Sequence, residues 1–345
     1  MNCDLTTKVD AEAQRSSFSG VVEVASPNCS LRKSWGYRDR ANRLKNETNT
    51  RFGIASGTKG FTALAVASLI EEGKIGMETK AASLIGERFS GLHPSITIEQ
   101  LLAHTSGVGD HYDEDEIKEG VDDFILSIPV QDLVSPFDYL PLLRERPQKF
   151  APGEKACYSN GGYVVLAMII ESESGIPFQR YIEERFFHSA EMTNSGFFRS
   201  DNLPQNVALG YLVGKEEFKT NVFNLPVIGS GDGGAYSNLQ DMKLFWQNLL
   251  SFKIVGNSIL EPMIKRQNSI ESSDYGFGFW IEDEGRFVAL EGYDAGVSFY
   301  SATTRDLETQ FTVISNDRSG AWPIVKEIKS NIFQQGRALN VANAP

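Results

Sequence analysis

The sequence predicts an α/β fold of the α+β kind: an antiparallel sheet assembled from both termini, flanked by helices, with a mostly helical stretch inserted between them. Three observations predict it. Short strand-like runs lie at both ends, at 18–25 (FSGVVEVA) and 30–37 (SLRKSWGY), then from 275 to 317 as YGFGFWIED, GRFVALEGY, GVSFYSATT and TQFTVISND. The connections among the last runs are too short for crossovers, so those strands pair antiparallel. Between the two ends the apolar positions follow a helical period instead.

Taken in order, the first two runs are joined by the turn SPNC. The stretch FGIASGTKGFTALAVASLIEEGKI, residues 52–75, then reads as a helix that is apolar nearly all round, hence interior, and stopped by Gly73. Residues 96–104 (ITIEQLLAH) read as a helix with Thr97 as its N-cap. From 109 to 150 the chain is acidic and then proline-punctuated, which suits surface helices and loops. Pro152-Gly153 turns into an apolar helix at 161–172, followed by helices at 177–187 and, after SGDGGAYSN, at 239–251. WPIVKEIKSNIFQQ closes the chain as an amphipathic helix. This divides the chain into a sheet unit, 1–75 with 240–345, and a mostly helical unit, 76–239, with the site expected in the cleft between them.

With 345 residues, 41% hydrophobic and 23% charged, composition is ordinary for a globular protein. A chain this long buries roughly three quarters of its unfolded surface. The net charge, 33 − 45 = −12, repels nucleic-acid phosphates and anionic membranes, leaving a small-molecule or peptide substrate as the expected partner. Oligomeric state leaves no mark. Cys3, Cys29 and Cys157 form no spaced framework, which argues against a disulfide scaffold and a structural zinc. The N-terminus has no apolar signal region and no run of about 18 apolar residues occurs, so the expectation is a cytoplasmic protein, or the mature form of an exported one.

Ser-x-x-Lys occurs twice, where roughly one chance match is expected at this length. Ser30-Leu-Arg-Lys33 falls in a strand, whose period of two sends its first and fourth residues to opposite faces. Ser56-Gly-Thr-Lys59 falls at a helix start, where the same spacing shares a face. A lysine buried on that first turn loses water and feels the positive helix end, and both lower its pKa. A neutral amine can then take the proton of Ser56, while free first-turn N–H groups face any oxyanion formed there. The bland alternative makes Ser56 an N-cap and lets Lys59 reach water.

RFGIASGTKGFTALAVASLIEEGKI, then ITIEQLLAHTSGV, then KFAPGEKACYSNGGYVVLAMIIE, in that order, resemble the serine penicillin-recognising hydrolases, in the branch of class C β-lactamases, low-molecular-weight penicillin-binding proteins and their esterase relatives. The resemblance covers about residues 18–335 and implies a β-lactamase/transpeptidase-like fold. It implies that Ser56 is the acylated nucleophile and Lys59 a proton acceptor. The family's second element is Tyr-x-Asn, and both Tyr158-Ser159-Asn160 and Tyr236-Ser237-Asn238 precede an apolar helix. Periodicity does not choose between them. The resemblance does, because the family places its tyrosine just after a Pro-Gly-Glu turn, here Pro152-Gly153-Glu154. It implies that Tyr158 passes a proton to the leaving group and that Asn160 binds the substrate carbonyl or amide, leaving Tyr236 as a packed turn residue with Ser237 capping the next helix.

The third element departs from the family, which has Lys-Thr-Gly or His-x-Gly on a strand lining the cleft. Here Leu290-Glu291-Gly292 precedes Tyr293-Asp294-Ala295-Gly296. Gly292 still allows close approach of substrate, and Tyr293 would give the second oxyanion N–H. The cation that anchors a substrate carboxylate is replaced by Leu290, and Glu291 adds a negative charge. The expected enzyme therefore disfavours penicillins and D-carboxylate peptides, preferring neutral esters or amides, or an amine that Glu291 meets. Equally, strand alternation could send Glu291 to solvent. The functional expectation is a serine hydrolase forming an acyl-enzyme, with carboxypeptidase, β-lactamase or esterase activity and no metal or organic cofactor. The rival is a slowly acylated or inactive sensor or scaffold.

Other patterns are discounted. Gly229-x-Gly231-x-x-Gly234 lacks the βαβ context of a dinucleotide loop and is read as a loop bordering the cleft. The cluster Asp110, His111, Asp113, Glu114, Asp115, Glu116 is read as a solvated acidic loop. His104 is assigned to packing and hydrogen bonding.

Overall fold

Alternation along the strands explains the architecture of the structure, a computed structural model that describes residues 4–113, 122–212 and 219–342, with side chains as far as 332. The N-terminal helix α1 (Asp4–Arg15) leads into the hairpin β1 (Gly20–Ser26) and β2 (Cys29–Trp35). The helices α2 (Thr58–Glu71), α3 (Asn160–Ser174) and α4 (Leu239–Leu250) follow. The C-terminal part supplies β3 (Asn268–Ile270), β4 (Ser273–Tyr275), β5 (Trp280–Glu282), β6 (Phe287–Asp294), β7 (Val297–Thr304), β8 (Gln310–Ser315) and the helix α5 (Ala321–Ala342). These strands form one eight-stranded antiparallel sheet in the order β2-β1-β8-β7-β6-β5-β4-β3, so the two termini meet in the β1–β8 pairing as expected.

Each strand splits its side chains between two cores. Val22 and Val24 of β1 join Phe287, Tyr300, Phe311, Ile324 and Ile328 on the face covered by α1 and α5. Val21 turns the other way, to Phe61, Leu64, Phe245, Leu290 and Phe299 under α2 and α4. The helix α2 is interior: Phe61, Leu64, Val66 and Leu69 are all fully buried. Each such side chain contributes roughly 1.5–3 kcal/mol by leaving water. Gly73, with φ 70°, ends its C-terminal turn in the left-handed region.

The expected helices are present with shifted ends. That at 96–104 shrinks to Ile98–Leu102, because Thr97 and Gln100 close a reciprocal capping box ahead of it. That at 177–187 is α-helical over Phe178–Ile182 and then widens over Glu183–Phe187. The helix α1 was not anticipated, although Leu5, Val9 and Ala13 mark one helical face, which packs against α5. Of the cysteines, Cys29 is disulfide-bonded and Cys157 is a free thiol. Among the described residues no helix is long and apolar enough to cross a membrane.

Candidate active site

The chain approaches the site along a short strand, Phe52–Gly53, paired with Tyr236–Ser237. Ile54 donates its N–H to Ala235 O at 2.9 Å, and Ala55 then takes φ 43°, a left-handed conformation uncommon for a residue with a Cβ. Thr58 holds this turn, since its Oγ1 donates to Ala55 O at 2.7 Å and accepts the Ala235 N–H at 3.1 Å. Ser56 lies inside the tight turn Ala55–Gly57 that precedes α2, and no side chain caps that helix. Ser56 is therefore not an N-cap.

Nor does Lys59 reach water, being 1% exposed. Its Nζ lies 2.9 Å from Ser56 Oγ, 2.7 Å from Asn160 Oδ1 and 2.6 Å from Asp232 O. A neutral amine has two N–H bonds and one lone pair. In that neutral form the two carbonyl oxygens can take the N–H bonds and the lone pair can face the Ser56 hydroxyl. Burial disfavours the ammonium form, so the arrangement can draw a proton from Ser56. The other Ser-x-x-Lys stays apart from this site: Ser30 and Lys33 lie on β2, and Lys33 pairs with Asp10 at 2.6 Å.

Tyr158 covers the lysine, with Nζ 4.8 Å from its ring centroid. Its ring stacks on His104 at 4.5 Å and lies parallel to Trp280 at 6.3 Å. Burial pushes the His104 pKa well below the usual imidazole value, so the ring is neutral. Its Nδ1 accepts the Ser159 N–H at 3.0 Å, which puts the proton on Nε2. His104 thus packs and hydrogen-bonds as expected. Asn160 is locked on both sides of its amide: Nδ2 donates to Tyr112 O at 2.9 Å, which points Oδ1 at Lys59.

The acidic cluster is not a solvated loop. Asp110, His111 and Asp113 are all buried, while Glu114, Asp115 and Glu116 lie outside the described residues. Asp110 accepts the N–H of Asn160 at 2.6 Å and of Gly161 at 2.9 Å, at the positive start of α3. His111 stands between Asp110, at 3.5 Å, and Asp232 Oδ2, at 3.3 Å. It thereby joins the two segments that supply Lys59 with its carbonyl partners. A signal was available in Gly107-Val-Gly109: Gly107 has φ 65°, and a Cβ on Gly109 would lie 2.7 Å from Arg146 O. Glycines so crowded belong to a packed turn. GSGDGGAY borders the site as expected, with Gly231 O accepting from Thr62 Oγ1 at 2.8 Å. Among the described residues no group of three or more His, Cys, Asp or Glu side chains is disposed to hold a metal.

On the far side, β6 touches the reactive turn. A Cβ on Gly292 would lie 2.6 Å from both Ser56 N and Ile54 O, so only glycine fits. Leu290 is buried beneath α2, where a Cβ on Gly60 would meet it at 2.5 Å. Glu291 alternates to the other side and lines a groove with Ser56, Tyr158, Trp280, Gly292 and Tyr293. The turn Ala295-Gly296 makes Asp294 and Val297 the hydrogen-bonded pair closing the hairpin, so alternation turns the Tyr293 N–H away from β7. All seven residues singled out from the sequence thus meet around one turn of chain.

A family model described as Beta-lactamase matches residues 7–326. The chain belongs to the beta-lactamase family. Its relatives within that family include the Bacillus subtilis protein PbpX, named as a penicillin-binding protein, 26% identical over 96% of this chain and 78% of that one. A penicillin-binding protein structure from Bacillus halodurans superposes with TM-score 0.87 at 35% identity, covering 93% of this chain and 99% of that one. A D-amino acid amidase structure from Ochrobactrum anthropi shares the fold alone, with TM-score 0.77 at 20% identity over 95% and 99% of the two chains. This chain is thus a serine hydrolase of the beta-lactamase family, with its helices and antiparallel sheet arranged in the beta-lactamase/transpeptidase-like fold.

Proposed function

We propose that the protein hydrolyses ester or amide bonds through an acyl-enzyme on Ser56, with esterase or D-peptidase activity favoured over strong penicillin hydrolysis. The observation that carries this is the buried Lys59 amine, held 2.9 Å from Ser56 Oγ by two carbonyl partners. The substrate carbonyl sits against the N–H groups of Ser56 and Tyr293, beside Asn160. Ser56 Oγ bonds to the carbonyl carbon as Lys59 takes its proton. Tyr158 then protonates the leaving group as the old bond breaks, and water later releases the acyl group along the reverse proton path. The groups come from both units read in the sequence, Ser56, Lys59 and Glu291–Tyr293 from the sheet unit and Tyr158, Asn160 and Asp232 from the helical unit.

The preference over penicillins rests on the third element. Leu290 is spent in the core, so it offers a substrate carboxylate nothing, and Glu291 repels it. A charge-assisted hydrogen bond is worth about 1.5–3 kcal/mol, a ten- to hundred-fold loss in affinity. That same loss favours the second reading, a slowly acylated binder. The disulfide at Cys29 suits an oxidising compartment, which favours export over the cytosol. The test is pre-steady-state kinetics with a chromogenic ester and mass spectrometry after a fluorophosphonate or penicillin. A burst followed by turnover, absent in Ser56→Ala, is expected. Stable labelling without turnover of any ester, amide or β-lactam would select the binder.

A further inference from the structure

Two spaces open beside Ser56. One is the groove with Tyr158, Trp280 and Glu291, and the other is a cavity bordered by Ala55 and Gly233. Tyr158 lines the groove and not the cavity, so a leaving group meets its proton donor in the groove. That meeting depends on where the phenol of Tyr158 is held. We propose that His104 is the positioning residue for Tyr158, fixing the phenol over Lys59 so that leaving groups too basic to depart unprotonated are expelled. The proposal deepens the hydrolase reading and rests on it.

Locally, histidine is a poor choice at position 104. The helix Ile98–Leu102 ends in two bonds, Thr105 N–H to Gln100 O at 2.8 Å and His104 N–H to Leu101 O at 3.3 Å. This pair is the helix ending that favours glycine, and His104 takes its left-handed place at φ 57°. The residue is 1% exposed, yet Nε2 finds no hydrogen-bond partner. Glycine would meet this turn without strain and without an unmet buried donor.

The gain lies about fifty residues further on. Cys157 donates its N–H to His104 O at 2.9 Å, and Ser159 donates to His104 Nδ1 at 3.0 Å. His104 thus holds the chain on both sides of Tyr158. Those bonds fix the backbone but not the side-chain torsions of the tyrosine. The imidazole face supplies that restraint, lying 4.5 Å from the Tyr158 ring with 26° between the planes. The imidazole is itself walled in, with the rings of Tyr163 and Tyr275 each 4.9 Å away. Tyr163 in turn donates its hydroxyl to Leu102 O at 3.0 Å, at the end of the same helix.

The test compares kcat/KM for 4-nitrophenyl acetate with that for ethyl acetate. Both give the same acyl-enzyme, and kcat/KM reports its formation alone. The nitrophenoxide departs without a proton. Ethoxide needs one from Tyr158 Oη as its bond to carbon breaks, and the proton that Lys59 took from Ser56 balances the loss. His104→Asn keeps an acceptor for the Ser159 N–H, tolerates the left-handed region and removes the ring. It should lower kcat/KM for ethyl acetate ten- to hundred-fold more than for the nitrophenyl ester, the scale of a small misplacement of a reacting group. In a Tyr158→Phe background the same substitution should leave the ratio unchanged. Because each readout is a ratio within one variant, an unfolded fraction cancels. Equal losses on the two esters, or a further shift of the ratio in the double variant, overturn the proposal. A wild type that turns over the nitrophenyl ester alone also overturns it, since Tyr158 then expels no basic leaving group. The crystal structure of His104→Asn checks position without turnover. The Tyr158 ring should leave its place over Lys59 while the backbone of 157–159 stays, and an unmoved ring overturns the proposal. If the wild type turns over neither ester, the hydrolase reading falls, and that crystal structure decides the positioning by itself.

Discussion

The tripeptide Tyr-Ser-Asn occurs at 158–160 and at 236–238, each time leading into a buried helix, and the two copies end in different places. In the first, Ser159 caps α3, its Oγ accepting the Gly162 N–H at 2.9 Å. The helix therefore begins at Asn160, whose side chain stays available for Lys59. In the second, Tyr236 and Ser237 are held as a strand against Phe52–Gly53, so α4 begins one residue later. Asn238 becomes the cap, its Oδ1 accepting the Asp241 N–H at 2.9 Å, and Ser237 pairs with Ser195 at 2.9 Å instead of capping as expected. One residue of helix phase decides whether an asparagine serves a helix end or a lysine. The tyrosines part likewise: Tyr158 lies over Lys59, whereas Tyr236 lines the neighbouring cavity, its pKa pushed up to about 12 by burial.

The largest test of that contrast is removal of each hydroxyl. Tyr158→Phe keeps the ring stacked on His104 and removes only the hydroxyl proposed to carry the proton, so kcat should fall about 10²- to 10⁴-fold. Tyr236→Phe should change kcat less than about ten-fold, because its hydroxyl has no part in proton transfer. Steady-state kinetics with one ester on both variants decides it, and equal losses would erase the distinction. The asparagines come next. Asn238→Ala should lower unfolding free energy by about 0.5–2 kcal/mol, the worth of an N-cap, with activity retained in the folded fraction. Asn160→Ala should do the reverse in kind, cutting kcat/KM by roughly ten- to a hundred-fold through loss of a partner of Lys59. Denaturant melts beside kinetics separate the two outcomes.

Much of this was legible because periodicity and spacing are local. The apolar ring around Ser56–Lys59 announces an interior helix, and the alternation in β6, β7 and β8 announces the sheet. The choice between the tyrosines was not local; it came from family resemblance through Pro152-Gly153-Glu154. What stayed hidden depends on contacts distant in sequence. Nothing near Asn238 reveals that Phe52–Gly53 will hold the preceding two residues as a strand. Nothing near His111 reveals Asp232, more than a hundred residues on, and a run of acids beside a histidine reads as a wet loop until Asp110 is seen beneath the start of α3. The cavity beside Ala55 gathers walls from seven separate stretches, so no single motif spells it.

His111 gives the smallest effect and the sharpest difference between the two tripeptides, because the first rests on a buried ion cluster and the second does not. Burial opposes a charged imidazole, but the bond to Asp232 and the fields of Asp232 and Asp110 outweigh it and raise the pKa above the usual 6.5. Tyr139 packs edge-on against the ring and carries no charge at neutral pH. A raised folded pKa means that the cation stabilises the fold fully below the unfolded value, and that this contribution is lost as pH climbs through the folded one. Wild-type unfolding free energy should therefore decline as pH rises from about 6.5, the ordinary value for imidazole, while His111→Gln, which keeps a donor toward Asp232, should lack that slope. Cation loss also leaves two carboxylates near Lys59 without an offset, which favours its ammonium form, so kcat should fall over the same interval. Parallel pH profiles of stability and kcat in the two proteins check both consequences. A slope that survives in His111→Gln would assign the titration to another group and leave the first tripeptide no better supported than the second.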